Sequence, residues 1–266
     1  MFEEKSKILN TQKKPWIQPF LDYFKTIKKF NDIIEKIRAK LCLTNNFNPN
    51  QLFDFLDFQK NGFLTSKNII YFLNKAKEQY KEQYIRHLIH NYDKDGDFTL
   101  NKKEFYNLIL PAKNKNLKEK IISSINSNNE NEESTNNPGN ISNDIKNVFN
   151  ELIKEELKLG EDSFFAIKNI YNSPKFTTYE AFIDIVKNES YITRKNLNIF
   201  LRENKFEMED DDIYLLMFRI DQDNDNMISY IEFQDIFYPL KNLEKYNDNT
   251  ILNSLNNINN IHIGLN

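Results

Sequence analysis

Asp93-Lys94-Asp95-Gly96-Asp97-Phe98-Thr99-Leu100-Asn101-Lys102-Lys103-Glu104 and Asp221-Gln222-Asp223-Asn224-Asp225-Asn226-Met227-Ile228-Ser229-Tyr230-Ile231-Glu232 are two versions of one pattern. Each places Asp at positions 1, 3 and 5, an apolar residue at 8 and Glu at 12. Four carboxylates in so short a span gather the oxygen donors that a hard divalent cation requires. Without a cation they repel one another. Ile89 and Tyr92 precede the first stretch, and Phe105, Leu108 and Ile109 follow it. Met217 and Ile220, then Phe233, Ile236 and Phe237, flank the second in the same way. These are apolar faces at helical spacing. A run of Asp is often only a solvated turn, and Asn101–Glu104 and Ser229–Glu232 also read as helix capping boxes. Two complete matches, each between apolar helices, favour the ligand reading.

Each acidic stretch has a degenerate partner 36 residues upstream. Residues 57–68, from Asp57 to Asn68, keep Gly62 at position 6 and Leu64 at position 8 but lack acids at 3, 5 and 12. Asn68 cannot offer a bidentate carboxylate. The partner of the second stretch is 186–196, with Ile192 at position 8 and a loop one residue short. Gly62-Phe63-Leu64-Thr65-Ser66-Lys67-Asn68 answers to Ser190-Tyr191-Ile192-Thr193-Arg194-Lys195-Asn196, an offset of 128 that Asp93 and Asp221 share. The chain is thus a duplication.

These loops resemble those of the EF-hand superfamily, and their tandem pairing is similar to calmodulin-like and centrin-like proteins. The resemblance covers about 50–112 and 176–240. It implies an all-α fold of two EF-hand pairs, with Leu64–Leu100 and Ile192–Ile228 as short β-bridges, each pair preceded by an extra helical segment. It also implies Ca2+, up to two ions. Asp93, Asp95 and Asp97 would give carboxylate oxygens, Thr99 its carbonyl, Asn101 a direct or water-mediated contact, and Glu104 both oxygens. Asp221, Asp223, Asp225, Met227, Ser229 and Glu232 would do the same in the second loop. Position 6 needs left-handed backbone, for which Asn226 is the best substitute for Gly and Phe98 a poor one. Loop 221–232 is therefore the stronger expected site.

The expected organisation is a flexible N-terminus over 1–14, a leading helix and EF-hand pair over 15–112, and a low-complexity linker over 113–140. A second leading segment and pair follow over 141–240, then a mostly unstructured tail over 241–266. The first leading segment carries Phe20, Phe24, Ile27, Ile34, Ile37 and Leu41 at helical spacing. The second carries Ile145, Val148, Phe149, Leu152 and Ile153 behind capping residues Ser142, Asn143 and Asp144. Such a segment either packs on its own pair as core or docks on a partner. Pro111 and Pro239, again 128 apart, end the two pairs.

Net charge is −3 and no basic face is evident, which argues against nucleic acid as a partner. No run reaches the roughly 18 apolar residues of a membrane helix, so no membrane insertion is expected. Met1-Phe2-Glu3-Glu4-Lys5 lacks a signal core and a myristoylation Gly. The single Cys42 excludes an internal disulfide and suits a reducing cytoplasm. His87, His90 and His262 form no triad or zinc pattern with it, and no glycine loop for phosphate is present, so no enzyme is expected. The expected partners are proteins, engaged through apolar grooves or the leading helices. The four methionines against 22 Phe suggest few, fixed partners. Leading helix, silent hand, active hand, all repeated, also resembles EF-hand proteins of unicellular eukaryotes, some attached to ciliary microtubules. The Asn, Lys, Ile and Phe usage is typical of AT-rich genomes, as in ciliates. The two functional expectations are a calcium-responsive binder of protein partners and a structural component of a cytoskeletal assembly such as an axoneme.

Overall fold

The computed structural model describes residues 14–128 and 141–237. Among these the chain is all-helical: α1 Ile17–Cys42, α2 Pro49–Leu56, α3 Ser66–Lys75, α4 Glu82–Tyr92, α5 Lys102–Ile109, α6 Lys115–Asn128, α7 Asn143–Tyr171, α8 Thr178–Val186, α9 Arg194–Glu203, α10 Asp210–Ile220 and α11 Tyr230–Asp235. The expected N-terminal segment, except Lys14, and the tail lie outside the described residues. So do Pro239 and His262.

The helix starts follow from local chemistry. Thr65, Asn101, Thr193 and Ser229 open α3, α5, α9 and α11, each in a reciprocal capping box with the residue three positions on. Asn48 opens α2 by accepting from the Asn50 and Gln51 amides. Ser142 accepts from Ile145 at the head of α7. Between these helices Leu64 pairs with Leu100 and Ile192 with Ile228 as isolated antiparallel bridges, the partners expected. The short loop of 186–196 is absorbed at Lys187, which takes φ 57° directly after α8. The full-length loop 57–68 uses two left-handed residues, Lys60 and Gly62.

Residues 113–140 read as linker, yet α6 occupies Lys115–Asn128; residues 129–140 lie outside the described set. The reason for the helix is a modest apolar stripe. Leu117, Ile121 and Ile122 pack on the core, and Ile125 is buried.

The two leading helices serve each other's halves as well as their own. α1 and α7 pack along each other, antiparallel, as the pairs Lys40–Glu151 and Arg38–Glu156 show. Trp16 and Phe20, at the start of α1, reach into the second half. The Trp16 indole stacks on Phe200, and Phe20 stacks 5.8 Å from Phe233. Phe149, near the start of α7, reaches into the first half, 5.1 Å from Phe72 and 6.1 Å from Phe105. Asp212 of α10 is gripped by Lys28 of α1 and by Lys113, each at 2.7 Å. One buried apolar cluster consequently runs through both halves. The two sides of the expected linker, 113–140, share this cluster. Periodicity shows which face of a helix is apolar; it does not show which groove that face enters.

Candidate metal centres

In each acidic loop the structure brings the first three Asp side chains together. One carboxylate oxygen from each of Asp93, Asp95 and Asp97 lies within 4.8 Å of the others, and the same holds for Asp221, Asp223 and Asp225. Among the described residues, these are the groups of three or more His, Cys, Asp or Glu side chains close enough to share an ion. Cys42 is buried apart from them.

The turns are built by the aspartates themselves. Asp97 Oδ1 accepts from the amide and hydroxyl of Thr99, both at 2.7 Å. Asp225 Oδ1 accepts from the Met227 amide at 2.7 Å. Asp93 Oδ2 and Asp221 Oδ2 reach across to the amides of Phe98 and Asn226, at 2.7 and 3.0 Å. Those two residues hold φ of 62° and 67°, so position 6 is left-handed in both loops. Position 4 is left-handed too, at Gly96 and Asn224. Loop 93–104 thus has its one glycine at position 4 and sets an aromatic residue at 6, a strain of roughly 1–2 kcal/mol. Loop 221–232 uses Asn twice, which tolerates this region better.

The closing glutamates stand differently from the aspartates. Glu104 Oε1 accepts from the Lys94 amide at 2.9 Å, and Oε2 from the Asn101 amide at 2.9 Å. Glu232 Oε1 accepts from Gln222 at 2.7 Å, and Oε2 from the Ser229 amide and hydroxyl, both at 2.8 Å. Neither is grouped with its Asp triplet. These bonds hold both glutamates away from their Asp triplets, so giving both oxygens to a cation means turning from the amides. Asn101 and Ser229 act on the Glu amides as caps. Thr99 is held by Asp97, and the Met227 side chain is exposed.

One difference separates the loops. Asp93 satisfies both oxygens, with Oδ1 accepting from Gly96 at 2.8 Å. Asp221 is 6% exposed, and its Oδ1 has no hydrogen-bond partner. The Asn224 amide, counterpart of Gly96, lies near enough to this carboxyl to act as a weak hydrogen-bond donor and lower it, but outside ordinary hydrogen-bond geometry to Oδ1. Burial pushes both carboxyls, Asp93 and Asp221, above the usual range. A buried carboxylate oxygen without a partner is costly and calls for a positive charge.

The degenerate loops close without one. Asn68 donates its amide nitrogen to the Leu56 carbonyl at 3.0 Å. Asn196 donates likewise to the Tyr191 carbonyl at 2.9 Å. An amide N–H can close a loop but cannot ligate a cation.

Two features escape the sequence pattern. The first is a buried charge cluster between the loops. Glu156 accepts from Tyr92 at 2.5 Å, from Arg38 at 3.2 Å and from Arg219 at 3.1 and 3.2 Å. Arg38 also bonds Glu35 and the Leu108 carbonyl, and Arg219 bonds Asn31. Burial pushes the Glu156 carboxyl up, but the two guanidinium groups outweigh it and hold it below the usual range. Burial raises the Tyr92 hydroxyl to about 12, which keeps it a donor. A signal for this cluster existed: Glu156 interrupts the apolar stripe of Leu152, Ile153 and Leu157, and Arg38 that of Ile34, Ile37 and Leu41. The second is Lys94, whose ammonium donates to the Asp221 carbonyl at 2.6 Å and so joins one acidic loop to the other.

His87 and His90 line a small cavity of about 50 Å³ with Tyr23, Gln222 and Asp235. Burial pushes His87 down to about 3, so the ring stays neutral there. No carboxylate joins these two rings in a metal-holding group among the described residues.

Neither protein-family models nor curated proteins yield a match to this chain. Among the described residues, no helix is long and apolar enough to cross a membrane.

Proposed function

We propose that the chain is a calcium-binding tandem EF-hand protein, without enzymatic activity, in which the ion fastens a helical body that is already closed. The observation that carries the metal reading is Asp221: a carboxylate 6% exposed, at the head of a three-Asp turn, with one oxygen lacking a hydrogen bond of ordinary geometry. Oxygen donors only, and several of them, suit Ca2+. Loop 221–232 is the principal site and loop 93–104 the second, weaker one, on account of Phe98.

The reciprocal docking of α1 and α7 favours the structural role over the sensor role. A calcium sensor exposes an apolar groove on filling, and a partner helix enters it. Here Trp16 and Phe20 fill the apolar side of the second pair of hands, and Phe149 fills that of the first. Protein partners would then meet the outer surface of the clasped body, as befits a component of an assembly. The lone Cys42 suits a cytoplasmic placement, and the family resemblance suggests a ciliary cytoskeleton.

Apolar-dye fluorescence with and without calcium tests this role, read beside thermal unfolding. Calcium is expected to raise Tm, by about 2.7 kcal/mol of stabilisation at a hundredfold excess over Kd, and to leave dye binding unchanged. A large calcium-dependent rise in dye fluorescence would favour the sensor.

A further inference from the structure

Lys94 occupies position 2 of loop 93–104, and its two ends serve different loops. Its backbone amide donates to Glu104 Oε1 at 2.9 Å. Its ammonium donates to the carbonyl of Asp221, the first residue of the other loop, at 2.6 Å. The same ammonium lies 5.5 Å from the Phe218 ring centroid and faces the carboxylates of Asp221, Glu232 and Asp223 in the second loop and of Glu104 in its own. It is a fixed positive charge at the mouth of loop 221–232. The entrances of the two loops are tied again where Arg219 donates to the Tyr92 hydroxyl at 3.3 Å.

We propose that Lys94 couples the two loops, so that calcium in loop 93–104 raises the affinity of loop 221–232. This rests on the calcium reading above. In a filled EF-hand loop the glutamate at position 12 turns both oxygens to the ion. For Glu104 that turn releases Oε1 from the Lys94 amide. Residue 94 is then free to shift, and its ammonium withdraws from the second loop. A cation approaching Asp221 and Asp223 meets less repulsion as a result. The effect is reciprocal, because a coupling free energy between two binding sites acts equally on both. The coupling crosses from the active hand of one half to the active hand of the other. It is therefore separate from the bridges Leu64–Leu100 and Ile192–Ile228, which join hands within a half.

The test is calorimetric titration of calcium chloride into the metal-free full chain. Four proteins are compared: unmodified, Glu104→Gln, Lys94→Met and the double variant. Glu104→Gln empties the first loop and is expected to weaken the second about fivefold, within the usual range for coupled sites. In the Lys94→Met background the same change is expected to move the second loop by less than about twofold. Lys94→Met alone is expected to tighten loop 221–232, since the repelling charge is gone. Lys94→Gln keeps reach without charge and is expected to behave as the Met variant does, which keeps the test decisive should that variant misfold. Equal weakening by Glu104→Gln in both backgrounds would overturn the coupling and leave the metal reading standing. Absence of calcium binding by the unmodified chain would overturn both.

Discussion

Glu156→Ala is expected to lower the unfolding free energy by about 3–5 kcal/mol. The carboxylate sits among Arg38, Arg219 and the Tyr92 hydroxyl, all within 3.2 Å of one of its oxygens. Removing it leaves two guanidinium groups facing each other in a buried site, with Tyr92 lacking its acceptor. Most of the expected loss is this exposed imbalance rather than the intrinsic worth of the ion pairs. A contrast makes the point measurable. Replacing Arg38, Glu156 and Arg219 by Met, Leu and Met together with Glu35→Gln removes every charge of the cluster at once, while the Gln oxygen still accepts from the Ala112 and Lys113 amides, and is expected to cost far less than Glu156→Ala alone. Urea unfolding of both variants, monitored by circular dichroism, gives the comparison. The pH dependence has a definite sign. The folded-state pKa of Glu156 is depressed, so its contribution is present above the ordinary carboxylate range and is lost as pH falls toward the lower folded value. Glu156→Gln should remove that part of the acid sensitivity.

Phe20→Ala and Phe149→Ala are each expected to cost about 3–5 kcal/mol, the range for deleting a fully buried phenyl ring. Both rings have 0% exposure. What distinguishes this structure is where the damage falls. Phe149 belongs to the second repeat but packs on Phe72 and Phe105 of the first. Its loss should therefore reduce amide hydrogen-exchange protection in α3 and α5. Phe20 belongs to the first repeat but packs on Phe233 of α11. Its loss should reduce protection in α11 and alter the emission of the single tryptophan, Trp16, which packs on Phe20 at 5.9 Å and on Phe200. Each variant should still unfold in one transition, because the apolar cluster is continuous. Two separable transitions, or damage confined to the repeat that carries the substitution, would contradict the reciprocal docking.

Much of the local structure is legible in the sequence because it depends on near neighbours. The spacing from the acidic turns places Leu64, Leu100, Ile192 and Ile228 at the bridges, and the structure pairs them so. Left-handed backbone at Phe98 and Asn226 follows from the loop pattern, and both residues adopt it. The second left-handed position, at Gly96 and Asn224, is equally local, and its signal is the Gly or Asn that stands there. The long-range features are a different matter. The apolar stripe of α1 announces burial without naming the groove, so the exchange of leading helices is invisible until contacts exist. Glu156, Arg38 and Arg219 are separated by more than 60 residues from at least one partner, and only the interruption of two apolar stripes hints at them. Residues 115–128 look like linker by their Asn, Lys and Ser content, yet four apolar residues give the helix a face that packs. The closing glutamates show the remaining gap. Sequence assigns Glu104 and Glu232 to the ion, whereas their bonds here run to backbone amides, and an ion's pull is what would re-aim them.

Isothermal titration of calcium chloride into the metal-free chain, beside Asp221→Asn and Glu232→Gln, tests the central claim most directly. Two binding events are predicted, the stronger of them abolished by either substitution in loop 221–232 while the far-ultraviolet spectrum stays helical. An unmodified chain that takes up no calcium at millimolar concentration, or one whose stronger site survives both substitutions, would contradict the account.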